Sequence, residues 1–169
     1  MAPVLERLQQ APEGRHGLTS SAMTPSRERR LLQQVVAVAA LVPVLTGLFG
    51  VVSGLDLVAP EIGRQPGVSA DSHFRYLSGV LLGLGLCFWA TIPAIEHKTT
   101  LFRFLTLIVF LGGLGRLLGL YLTGVPSLAM LGGLAMELLV TPALCLWQTR
   151  VAHVCEEAEA DAELARHGV

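Results

Sequence analysis

The sequence predicts an all-α, antiparallel four-helix transmembrane bundle, and three observations carry that reading. Of 169 residues, 52% are hydrophobic and only 15% charged, where soluble domains carry about 25% charge. The 18 glycines are a load typical of membrane helices. Charges are so placed that four apolar stretches reach about 20 residues each, enough to cross about 30 Å of hydrocarbon. The same numbers exclude a wholly disordered chain. Three cysteines are too few for a disulfide scaffold. A net charge of −1 leaves no footprint for nucleic acid.

Residues 1–26 are polar, carry Pro3, Pro12 and Pro25, and lack the apolar core of a signal peptide. They read as a disordered cytosolic leader. The membrane domain follows over residues 27–151. Its first span is 31–55, a run without charge in which Pro43 frees the Ala39 carbonyl and predicts a kink. The second is 72–95, ended by Pro93. The third is 101–122. Residues 117–136 are an uncharged run of spanning length, but Gly124, Val125, Pro126 and Ser127 mark a turn in its middle. The fourth span is therefore 127–149. Residues 152–169 form an acidic tail, expected to continue the fourth helix into water and then fray.

Lys and Arg near the span ends set the orientation. Arg27, Arg29 and Arg30 precede the first span, Lys98 and Arg103 flank the second loop, and Arg150 follows the fourth. The first loop has Arg64 against Asp56, Glu61 and Asp71. Both termini and the second loop are thus expected in the cytoplasm. Tyr76 and Tyr121 then mark the outer interface and Trp147 the inner one.

Arg75, Arg116 and Glu137 break the apolar pattern. A charge at the centre of a membrane helix costs about 2.5–3.5 kcal/mol on the insertion scale and is tolerated when it faces the bundle interior with a partner. Counting from the expected outer ends, Glu137 lies about 15 Å deep, Arg116 about 9 Å and Arg75 about 5 Å. Arg116 is within snorkelling reach of Glu137. Each charge sits on a line of small residues. Gly79, Gly83 and Cys87 follow Arg75. Gly112, Gly115 and Gly119 surround Arg116. Ala129 and Gly133 precede Glu137. Gly50 and Gly54 offer the same spacing on the first helix. Pro142 frees the Leu138 carbonyl beside Glu137, and the Thr141 hydroxyl is expected to satisfy it.

Several readings stand. Arg116 and Glu137 form a buried ion pair that fixes register, or they line an outward-facing pocket for a lipid, quinone or small metabolite, with Arg75, His73 and Thr141 as further candidate ligand contacts. The Gly-rich helix faces also suit a membrane-protein partner, which would make the chain a structural subunit. A membrane-embedded enzyme with Glu137 as acid/base is the remaining alternative. No nucleophile–base pair supports it, and no catalytic residue is assigned. Cys87 and Cys145 fall within spans and Cys155 in the tail, without zinc spacing. His73 and His97 fall at opposite interfaces. No metal and no cofactor is called for.

The strings DSHFRYLSG (71–79), FLGGLGRLLG (110–119) and MELLVTP (136–142) resemble the bacterial domain-of-unknown-function family 4345, over about residues 31–151. The resemblance implies a small four-helix membrane protein with Arg75, Arg116 and Glu137 as signature positions, and it implies no reaction. A bacterial family implies the inner (cytoplasmic) membrane, crossed several times. In intact cells lacking the native cysteines, cysteines placed at Gly63 should be labelled from outside, and those at Gly14 and Arg166 protected. The reverse pattern rejects this topology.

Overall fold

The computed structural model describes residues 24–57 and 67–168. The expected leader falls largely on residues 1–23 and the first loop on residues 58–66, both outside the described residues. Four helices long and apolar enough to cross a membrane run antiparallel. They are α1 (Pro25–Ser53), α2 (Val68–Thr91), α3 (Thr99–Thr123) and α4 (Leu128–His167). Among the described residues there is no strand.

The helix ends follow local chemistry. α1 begins at Pro25, earlier than the expected leader boundary, because proline at the first helical position loses no needed N–H. It ends at Gly54, whose φ of 62° breaks the helix. Pro43 sits inside α1, which stays helical from Pro25 to Ser53. α2 gives way at Thr91 to a tighter 3-10 stretch, Ile92–His97, with Pro93 in its first turn and Ala94 outside helical geometry. Gly124, with φ 105°, ends α3, so the expected turn separates α3 from α4.

α4 has two α-helical parts, Leu128–Ala135 and Thr141–His167, joined by a π turn at Met136–Val140. Pro142 explains it. Proline donates no N–H, and its ring collides with the carbonyl four residues back. The helix widens, and the Thr141 N–H bonds the Met136 carbonyl five residues back. The Thr141 hydroxyl also donates to the Met136 carbonyl, at 2.9 Å, rather than to the expected Leu138 carbonyl. Beyond the span, the helix continues to His167 without a break.

The core common to the four helices lies at the end where α1 begins, here the terminal end. Leu32, Val36, Phe88, Ile95, Phe102 and Val151 are buried there, with Phe88 edge-on to Phe102 at 5.2 Å. In the far half, burial is nearly confined to the α1–α2 contact, at Val44, Gly47, Gly50 and Ser78, and to Gly113 of α3. Between Leu128 and Trp147, α4 has no buried residue. The far half is thus two helix pairs rather than one four-helix core.

Close approach does not follow the glycine lines expected through the charges. A Cβ on Gly47 would lie 2.5 Å from the Leu82 nitrogen, and one on Gly50 would strike Ser78. A Cβ on Gly85 would lie 2.6 Å from Val44 Cγ2. By contrast Gly79 has only Val51 at 3.8 Å, and Gly83, Gly112, Gly115, Gly119 and Gly133 meet nothing within 4 Å. α1 meets α2 on the Ser78–Leu82–Gly85 line, one residue round from Gly79–Gly83. Gly47→Ala should cost about 1–3 kcal/mol, because the new methyl meets backbone that cannot yield. Gly133→Ala should be neutral or slightly stabilising. Thermal unfolding in detergent separates the two, and equal shifts contradict this packing.

Candidate functional site

Arg116 and Glu137 meet. Arg116 Nε lies 3.0 Å from Glu137 Oε1, with side-chain exposures of 41% and 16%. Gly113 brings them together. A Cβ there would lie 2.9 Å from Glu137 Cβ and 2.7 Å from Leu138 Cδ2, so only glycine lets α3 come this close. The π turn carries Glu137 itself, and such turns recur at functional positions. The pair is incompletely satisfied. Arg116 Nη1 donates to the Met130 thioether at 3.0 Å, a weak acceptor. Glu137 Oε2 is buried without a hydrogen-bond partner.

Arg75 does something else. Its Nε donates to Asp71 Oδ2 at 2.8 Å, and its Nη1 donates to the Val51 and Val52 carbonyls at 2.7 and 2.8 Å. Asp71 Oδ1 accepts the Leu55 N–H at 2.8 Å. Asp71 and Arg75 together therefore cap the C-terminus of α1, whose last carbonyls have no partner within the helix. His73 is exposed, stacked on Tyr76 at 6.4 Å, and lines a shallow concavity with Ser69 and Ser72. Among the described residues no hydrogen bond or ion pair joins Arg75 or His73 to Arg116 or Glu137. Thr141 shapes the backbone beneath Glu137.

A second polar cluster, not anticipated from the sequence, lies at the terminal end. The broken geometry of Ile92–His97 frees backbone carbonyls at the end of α2, and side chains satisfy them. Lys98 Nζ donates to Ala90 at 2.6 Å, Gln33 to Ile92 at 2.7 Å, Arg29 to Pro93 at 3.3 Å and Gln148 to Ile95 at 2.7 Å. Charges close round them. Arg29 Nε lies 3.0 Å from Glu96 Oε2, and the Glu96 side chain is only 7% exposed. Glu28 Oε1 accepts from Trp147 Nε1 at 3.2 Å and pairs with Arg150 at 3.4 Å. Gln148, fully buried inside an apolar run, was the available signal. Glu28, Arg29 and Glu96 fall at span ends, where polar residues are ordinary.

Beside this cluster a cleft of about 430 Å³ opens between Glu96, His97, Arg103, Thr149, His153 and Cys155. Burial pushes the Cys155 thiol up, and the Glu96 charge adds to the effect, so it is a poor nucleophile. Among the described residues no three His, Cys, Asp or Glu side chains are placed to hold a metal. Because Arg75 serves the α1 end, Arg75→Ala should lower the melting temperature by roughly 2–8 °C, read by thermal unfolding. An unchanged midpoint would remove the capping role.

No curated protein and no solved structure matches the chain. The family described as Domain of unknown function (DUF4345) matches residues 31–148, from the first apolar turn of α1 to the buried Gln148 of α4. The chain, a multi-span helical membrane protein, belongs to that family.

Proposed function

We propose that the chain is an inner-membrane binding or accessory module, with both termini in the cytoplasm. Its outward half holds a lipid, quinone or small metabolite at Arg116 and Glu137. The membrane domain is residues 27–151, with residues 152–169 as an acidic appendage. The observation that carries the reading is the Arg116 guanidinium, whose side chain is 41% exposed and whose Nε faces Glu137 while Nη1 meets only a thioether, so that donors of its five-hydrogen fork are left for a ligand. A pair kept only for register has no need of spare donors on its exposed side. Contact with the ligand rests on Arg116 and Glu137. Arg75 serves the end of α1, His73 lies exposed on α2, and Thr141 sets the backbone. The open glycine faces of α3 and α4 favour a second role, as a subunit docking another membrane helix.

Replacing both charges by leucine should keep the fold, since an apolar pair of similar volume is often as stable as a buried ion pair. The same double variant should lose co-purified lipid or quinone, measured by mass spectrometry on the preparations used for unfolding. Glu137→Gln alone should cost roughly 1–3 kcal/mol, because it removes the counter-charge of Arg116 while the amide oxygen can still accept its hydrogen bond. Unaltered ligand content in the folded double variant rejects the site.

A further inference from the structure

We propose that the cleft at the terminal end binds a phosphate ester of a primary amine, the chemistry of a phosphatidylethanolamine headgroup, with the phosphate at Arg103 and the ammonium at Glu156. This site is separate from Arg116–Glu137 and does not depend on it.

The cleft is open and of ligand size. At about 430 Å³ it falls within the range of small-molecule sites. Its floor is Glu96, buried and neutralised by Arg29 at 3.0 Å. The groups offered to a ligand, Arg103, His153, Glu156 and Glu159, are exposed.

Charge is graded along the cleft. Thr149, His153, Glu156 and Glu159 line its α4 side, on one helical face by their spacing of three and four. Arg103 Nη2 donates to the Thr149 hydroxyl, so the guanidinium stands where the apolar run of α4 ends. The Glu156 backbone lies about 10 Å farther along the helix and Glu159 about 15 Å, toward water. Helical side chains lean toward the N-terminus, which brings the Glu156 carboxylate back toward Arg103. A cation at the edge of the apolar layer with carboxylates outside it mirrors a phosphate followed by an ammonium.

Both ends have capacity to spare. Among the described residues Arg103 forms no ion pair, and its bond to the neutral Thr149 hydroxyl is long, at 3.4 Å. The first turn of α3, which begins at Thr99 without a side-chain cap, adds its dipole to the attraction for an anion. Among the described residues no basic side chain pairs with Glu156 or Glu159. Carboxylates only accept, so they favour a nitrogen that carries hydrogens. A quaternary ammonium is held by aromatic faces, and no Phe, Tyr or Trp lines the cleft. Leu107, one turn after Arg103, and Leu146, one turn before Thr149, are exposed and give acyl chains a surface beneath the headgroup.

The test titrates delipidated full-length protein in detergent with dioleoyl phospholipids, with bound fractions read by native mass spectrometry. Phosphatidylethanolamine should bind about tenfold more tightly than phosphatidylcholine or phosphatidylglycerol. Glu156→Gln/Glu159→Gln should abolish that preference and leave phosphatidylcholine binding unchanged. Arg103→Gln should weaken phosphatidylethanolamine and phosphatidylcholine alike. All three side chains are exposed, and unchanged unfolding midpoints separate lost binding from lost fold. Displacement of the lipid by equimolar glycerophosphoethanolamine assigns the cleft to a soluble ester, and failure to compete assigns it to the lipid. Equal binding of phosphatidylethanolamine and phosphatidylcholine by the unaltered protein, or a preference that survives the glutamate double variant, overturns the proposal. So does tightest binding of phosphatidylglycerol, or a full chain that retains no probe.

Discussion

The backbone break between α2 and α3 is the constraint on which the bundle depends. A helix crossing lipid satisfies its own carbonyls, and a break releases them where water is scarce. Here the released carbonyls of Ala90, Ile92, Pro93 and Ile95 draw donors from α1, α4 and the connection itself. Gln33 and Arg29 fix α1, and Gln148 fixes α4. Glu28, bonded to Trp147 and paired with Arg150, ties α1 to α4 directly. The common apolar core lies against this network, so polar satisfaction and apolar burial reinforce each other at the same end.

That concentration leaves the opposite half free to specialise. α1 and α2 hold together there through Gly47 against the α2 backbone and Gly50 against the Ser78 side chain, and α3 and α4 through Gly113. The pairs need no shared core because they are joined below. The π turn adds a change of phase. The turn itself offers Glu137 to α3, and the helix beyond it offers Gln148 to the core, on faces that an unbroken α-helix would not place in these positions.

The spans were legible because hydrophobic length is a one-dimensional property. The turn at Gly124–Ser127 was legible because it stands out within its apolar run. The Arg116–Glu137 pair was legible too, since two opposite charges at similar depth on adjacent helices have few other partners. Arg75 was harder. Its depth suggested the same site, but its partners are Asp71, one turn earlier, and carbonyls at the end of another helix, which no residue identity reveals. The α1 glycines were legible, since Gly50 and Gly54 do meet α2, but the glycine faces of α2 and α3 were misjudged by one position because helix contact depends on the direction of the neighbouring axis. The terminal network was hidden because Glu28, Arg29 and Glu96 stand where any membrane helix carries polar residues. Only Gln148 was out of place in its run.

The unbroken run of α4 from Thr141 to His167 has an electrostatic consequence. At about 1.5 Å per residue, Glu163 stands roughly 21 Å beyond Thr149, the last residue of the apolar run. Ionic screening in cells acts over about 8 Å. The distal acids of the helix are therefore more than two screening lengths from charged lipid headgroups at that level, and a rigid stem holds them there. Glu156, two turns or about 10 Å past Thr149, lies little more than one screening length away and still feels part of the surface potential. The distal acids are electrically decoupled from it, available to whatever approaches from the aqueous side.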